Sequence, residues 1–135
     1  MRDHGEKTRI LVVEDEKVVA ETLGLILSNQ GYAVRIEGSA EDAIESLAEW
    51  QPDVAILDVM LPKMNGIDLA IVLKMRYPNC HPLLFSGQPS VELLVEKAKS
   101  EGHEFEILAK PVHPSLMLTA ISELLNSGCE SCHGA

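Results

Sequence analysis

Val54-Ala-Ile-Leu-Asp58, with the Val59-Met-Leu-Pro-Lys-Met-Asn-Gly66 that follows it, is the stretch that decides the fold. Four aliphatic residues in an unbroken run read as a strand covered on both faces, because a half-exposed strand alternates apolar with polar. The run stops on a carboxylate, and a loop bearing Pro62 and Gly66 leads to the next apolar stretch, Ile67–Met75. Ile10-Leu-Val-Val13, Leu83-Leu-Phe85 and Phe105-Glu-Ile-Leu-Ala109 are runs of the same kind. Ala33-Val-Arg-Ile36 alternates and carries Arg35, which predicts an edge strand.

Helical periods separate these runs. Val19, Leu23, Ile26 and Leu27 form one apolar stripe, closed by Gly31. Ala40, Ala43, Ile44 and Leu47 form another after Ser39, a candidate N-cap. Val91, Leu94, Val95 and Ala98 repeat the pattern before Gly102, and Met117, Ile121, Leu124 and Leu125 before Gly128. Ile67–Met75 is apolar nearly all round and predicts the most enclosed helix. Five β-α units joined by right-handed crossovers put helices on both faces of a parallel sheet. The expectation is a three-layer α/β/α doubly wound domain, with its site at the carboxyl ends of the strands.

The chain of 135 residues holds one domain, expected over residues 9–126 between a flexible segment (1–8) and a tail (127–135), the last helix ending near Asn126. Eleven basic and 21 acidic residues give a net charge of −10, which argues against nucleic acid or an anionic membrane as partner. No apolar run reaches membrane-span length, and the polar start lacks a signal-peptide core, so the expected location is the cytoplasm. Three cysteines make no disulfide framework.

The strand ends carry the chemistry. Glu14-Asp15, Asp58, Ser86-Gly87 and Lys110-Pro111 end strands one, three, four and five, and a doubly wound sheet brings these ends to one edge. Each alone has a plain structural reading: a turn-forming Asp, a Glu-Asp pair at a helix dipole, a capping Ser, a solvated Lys. Their coincidence at successive strand ends goes beyond those readings. Converging carboxylates repel, and a divalent cation removes the conflict. Magnesium suits the set, since it takes oxygen ligands, few carboxylates, and water or phosphate for the rest.

With Val12-Val-Glu-Asp-Glu16, Asp58-Val-Met-Leu-Pro-Lys-Met-Asn-Gly66, Phe85-Ser-Gly87 and Ala109-Lys-Pro111 each at the end of its own unit, the chain resembles the receiver domain of two-component response regulators over about residues 9–126. The resemblance implies a flavodoxin-like sheet in the order 2-1-3-4-5 and a phosphoryl group accepted from a histidine kinase or phosphotransfer protein with Mg2+. By that resemblance Asp58 is the phosphoacceptor nucleophile, Asp15 a direct metal ligand, and Glu14 a ligand acting mostly through water. Met60 lends its backbone carbonyl to the metal, Lys110 pairs with Asp58 and then with the phosphoryl group, and Ser86 hydrogen-bonds a phosphoryl oxygen. Gly66 is expected to support a tight turn or a close helix approach, and the Lys110–Pro111 bond to be cis.

The family often has Tyr or Phe three residues before its lysine as a rotating partner of the switch hydroxyl; here that place is Ile107. The conformational change is therefore expected in the loop from Ser86 to Val91 and the helix after it. The output face is expected on the helix carrying Val91–Lys99, strand five and the final helix, toward an unidentified downstream protein. Kinase docking is expected on the first helix at Lys17, Val18, Glu21 and Thr22.

A phosphohydrolase of similar sheet would need a second carboxylate where Met60 stands, and a nucleotide- or flavin-binding enzyme would need a glycine-rich turn where Glu14-Asp-Glu16 stands. A degenerate, unphosphorylated receiver conflicts with the intact acidic set. The reading is thus a stand-alone phosphoreceiver that is no conventional enzyme: it catalyses only its own phosphorylation and dephosphorylation. Cys129-Glu-Ser-Cys132-His133 is a literal C-x-x-C-H, the haem-attachment pattern. Haem attachment needs export, so the tail reads first as inert and second as adventitious zinc or redox chemistry. Cys80-His81 reads as loop before strand four, and His113 as a surface residue.

Overall fold

The computed structural model describes residues 7–61, 64–86, 106–109 and 113–132. Five strands, β1 (Arg9–Val13), β2 (Ala33–Glu37), β3 (Val54–Asp58), β4 (His81–Ser86) and β5 (Glu106–Ala109), pair in parallel in the order β2-β1-β3-β4-β5. The described helices are α1 (Lys17–Asn29), α2 (Ala40–Leu47), α3 (Gly66–Arg76) and α4 (Pro114–Cys132). The helix expected over Val91–Lys99 lies outside the described residues.

Period two along the strands sorts the core into two layers. Leu11, Val13, Ala55 and Leu57 face α2 and α3, whereas Ile10, Val12, Val54 and Ile56 face α1 and α4. β3 is buried at every position, as its unbroken apolar run requires. Each fully buried aliphatic side chain there contributes about 1.5–3 kcal/mol relative to exposure. β2 is an edge strand, and Arg35 lies along it paired with Glu37 (3.3 Å) and Glu49 (3.5 Å). Charge on an edge discourages pairing with another chain.

Local chemistry sets the helix ends. Gly31 ends α1 with φ of 90°, a left-handed conformation that costs glycine nothing. Ser39 caps α2 by accepting the Asp42 N–H (3.1 Å), and Asn65 caps α3 by accepting the Asp68 N–H (2.9 Å). His113 is exposed as expected, but its Nδ1 also accepts the Ser115 N–H (3.2 Å) at the start of α4. α3 buries Ile67, Leu69, Ala70 and Leu73, while Met75 is exposed, so this helix is less enclosed than its composition suggested.

Two further expectations are corrected. Cys80 lies in the bend before β4, as read, but is buried, and it is His81 that begins β4, pairing with Val54, where the sequence read as loop. Pro82 explains the misreading, since proline seldom sits in a strand. The His81 N–H donates to the Asp53 carbonyl (2.9 Å), so Pro82, one residue on, turns its nitrogen to the β5 side, where the described pairing starts only at Leu83. The last helix does not end near Asn126 but runs to Cys132. Gly128 inside it costs about 1 kcal/mol against alanine, yet no proline follows to break the ladder.

Trp50, the chain's single tryptophan, precedes β3 at the amino-terminal end of the sheet. The Arg9 and Arg35 guanidinium carbons lie 5.6 Å and 5.9 Å from its ring centroid. Among the described residues, no helix is long and apolar enough to cross a membrane.

Candidate functional site

β1 and β3 are neighbours in register, Val13 opposite Leu57, so the residues just past Val13 and the last residue of β3 emerge side by side. Glu14 and Asp58 are buried and Asp15 is exposed. One carboxylate oxygen from each of Glu14, Asp15 and Asp58 lies within 4.8 Å of the others. For a like-charge pair at that separation, an effective dielectric constant of about 20 gives about 3.5 kcal/mol of repulsion or more.

Backbone donors hold two of these groups. The Met60 N–H donates to Asp58 Oδ1 (3.0 Å), and the Glu16 N–H donates to Glu14 Oε2 (3.1 Å). The Glu14 N–H itself donates to the Glu37 carbonyl (3.1 Å), tying the loop after β1 to the end of β2. Met60 is half exposed, consistent with a position whose side chain is not used.

α3 enters against the back of Asp58. The Gly66 N–H donates to the Val59 carbonyl (2.9 Å), and a Cβ built on Gly66 would stand 2.3 Å from the Asp58 carbonyl oxygen. This is the close helix approach expected of Gly66, and only a residue without a side chain permits it. On the other side, the Val59 N–H donates to the Phe85 carbonyl (3.1 Å), so the loop after β3 is pinned to β4.

Ser86, the last residue of β4, stands opposite Ala109 at the end of β5. Strands three, four and five thus end at one edge, with Asp58 opposite Phe85. Lys110 and Pro111, with the expected cis bond, lie outside the described residues, as do the Ser86 and Ile107 side chains and the segment from Gly87 to Lys99. The sequence missed the Asn65 cap beside the site. Its signal was available in the spacing of Asn65 to Asp68, a capping residue three before an acidic one.

The donor set is oxygen only, the carboxylates of Glu14, Asp15 and Asp58. A small hard cation fits such a set, and a soft one does not. Magnesium therefore agrees with the residues present. The same edge is flanked by an apolar cleft of about 440 Å³ between α1 and α4, lined by Val18, Thr22, Ile56, Phe85, Leu108 and Met117 among others.

Residues 10–122 match the response regulator receiver domain family. The chain is 33% identical over 104 residues to the transcriptional regulatory protein TcrX of Mycobacterium tuberculosis, covering 77% of this chain and 44% of TcrX. It is 28% identical over 117 residues to the chemotaxis protein CheY of Thermotoga maritima, covering 86% of this chain and 96% of CheY. A CheY-like response regulator receiver domain from Methanospirillum hungatei superimposes with a TM-score of 0.84 at 26% identity, over 93% of this chain and 99% of that one. The chain thus spans less than half of TcrX and nearly all of CheY.

Proposed function

Because the chain belongs to the response regulator receiver domain family, we propose that it accepts a phosphoryl group on Asp58 from a histidine kinase or phosphotransfer protein and signals through the change that follows. The observation that carries this reading is the meeting of Glu14, Asp15 and Asp58 carboxylate oxygens at the carboxyl edge of the sheet, with Asp58 buried at the end of β3.

In the transfer, an Asp58 carboxylate oxygen attacks phosphorus while the bond from phosphorus to the donor histidine nitrogen breaks. The bonding pair returns to the imidazole, and the product is an acyl phosphate. The Met60 N–H on Oδ1 fixes the carboxylate rotamer, so the nucleophile meets the donor already oriented. Glu14, Asp15, Asp58 and the Met60 carbonyl would hold Mg2+, which when bound supplies positive charge against the transferring phosphoryl oxygens. Lys110 balances the charge of Asp58 and then of the phosphoryl group, and the Ser86 hydroxyl donates to a phosphoryl oxygen. Attack of water on the acyl phosphate reverses the state, so the domain turns over no separate substrate and acts in the cytoplasm as a switch and not as a conventional enzyme.

The kinase side is assigned to α1. Lys17, Val18, Glu21 and Thr22 are all exposed, with Val18 at 77%, and Val18 and Thr22 line the cleft between α1 and α4. Output is assigned to the segment from Ser86 through Lys99 with β5 and α4, toward a protein and not toward nucleic acid.

The test is incubation with acetyl phosphate and Mg2+, read by intact mass. One phosphoryl adduct is expected on the wild-type chain and none on Asp58→Asn or after chelation of the metal. An equal adduct on Asp58→Asn overturns the assignment.

A further inference from the structure

The phosphoryl chemistry assigned above makes no use of the cleft between α1 and α4. Its floor is the sheet, at Ile56, Leu83 and Phe85, and its walls include Val18 and Leu23 of α1 and Met117 of α4. Protein interiors ordinarily close up to within the size of a water molecule. The cleft keeps about 440 Å³ open, which falls among small-molecule sites of about 300–1,000 Å³. Among the described residues its lining is apolar apart from the Thr22 hydroxyl, which donates to the Val18 carbonyl (2.8 Å). One end of the cleft is charged. Side chains two apart on a strand share a face, so Asp58 follows Ile56 along the floor row of β3, about 6.6 Å further on. Phe85, also on the floor, pairs with Asp58 across β3 and β4. On the α1 side, Val18 comes shortly after Asp15 and Glu16, both exposed. The cleft thus leads from an apolar interior toward the carboxylates of Glu14, Asp15 and Asp58.

We propose that this cleft binds a small amphiphilic cation, an amine carried on a short aromatic or aliphatic body. The body lies on Ile56, Leu83 and Phe85, and the ammonium group points along β3 to the carboxylates. Burial of the body supplies the affinity, and the acidic end selects the sign of the head group. An anionic head on the same body meets like charge, and a neutral head gains nothing from the carboxylates. The span from Ile56 to Asp58 sets the length of the linker, because a butyl chain is of that order. The occupant is monovalent and mostly apolar, so it differs in class from the small hard ion that fits the three carboxylates alone.

The test uses the full chain in metal-free buffer, so that its result does not depend on a metal at the carboxylates. Three probes share one body: phenylbutylamine, phenylbutanol and phenylbutyrate. Binding is followed by amide chemical shifts. Phenylbutylamine should saturate at one molecule per chain, with the largest shifts at Val18, Thr22, Phe85 and Met117. Phenylbutyrate should bind about tenfold or more weakly, the effect of reversing one unit charge beside a partly screened acidic edge, with phenylbutanol between the two. Thr22→Trp, at an exposed position on the cleft wall, should fill the cleft and abolish saturation, and Val18→Trp is a second filling variant. Leu25→Trp, exposed on the same helix but outside the lining, should leave binding unchanged. Urea midpoints check that each variant is folded. Absence of saturable binding, shifts centred elsewhere, or equal affinity for amine and carboxylate overturns the proposal. Binding that survives both filling variants overturns it as well.

Discussion

Gly66→Ala places one methyl group where the backbone of Asp58 already stands. The Cβ would lie 2.3 Å from the Asp58 carbonyl oxygen, 2.9 Å from its carbon and 3.0 Å from the Val59 Cα, whereas ordinary contact begins at 3.4 Å. The neighbours are backbone and cannot rotate away, so α3 or the end of β3 must retreat by about 1 Å. Overpacking of this kind costs about 1–3 kcal/mol. Alanine returns about 0.5–1 kcal/mol through helix preference and a less free unfolded chain. The net expectation is a loss of about 1–2 kcal/mol, which lowers the urea midpoint by roughly 0.5–1 M at a slope of about 2 kcal/mol per molar. The second consequence is chemical, because the displaced backbone carries the nucleophile. A misplacement of about 1 Å can cost about 100-fold in rate, so phosphorylation by acetyl phosphate should slow far more than stability falls. Gly38→Ala is the matched control, since its added Cβ meets nothing within 4 Å. A Gly66→Ala chain as stable as wild type and phosphorylated at the same rate would refute the reasoning.

Asp15→Ala removes an exposed carboxylate from the cluster, and Mg2+ binding followed by titration calorimetry should weaken about tenfold or more; unchanged affinity places the metal elsewhere. Exchanging the charges of Lys17 and Glu21, an exposed pair at 3.9 Å, should leave stability within about 0.5 kcal/mol. The same exchange should slow transfer from the cognate kinase but not from acetyl phosphate, and equal slowing with both donors would point to a damaged site. The Cys80 thiol is held up at about 12 against an ordinary value of 9, first by burial and then by Asp53. Above pH 9 the unfolded chain releases this proton while the folded chain keeps it. Its contribution is therefore complete below pH 9 and is lost as pH rises toward 12. Urea midpoints should fall over that window in wild type more steeply than in Cys80→Ala, and parallel profiles would exclude the thiol as the cause.

The sheet was legible because burial on both faces leaves no room for polar residues. Val54 to Leu57 could hardly be anything but a central strand, and Arg35 marked β2 as an edge. The acidic site was legible because strand ends converge in any doubly wound sheet, which converts positions far apart in sequence into neighbours. The start of β4 was hidden by Pro82, whose tolerance depends on which neighbour its nitrogen faces, a fact of register and not of composition. The end of α4 was hidden because a glycine with nothing decisive after it weakens a helix without stopping it. The exposure of Met75 was hidden because an apolar side chain says nothing of whether a neighbour exists to cover it.

Trp50 has a use that follows from where it sits. The two arginines hold its ring at the amino-terminal end of the sheet, a strand of five residues (about 16 Å) from the carboxylates. Its emission should be silent toward metal or phosphate arriving at the other end, which makes it a poor binding signal and a clean unfolding signal. A ligand that binds only the folded chain raises stability by about 2.7 kcal/mol at 100 times its dissociation constant. A denaturation midpoint read at Trp50 and shifted by Mg2+ would then be pure linkage, free of any optical contribution from the site. The protein carries, at its far end, its own thermometer for occupancy.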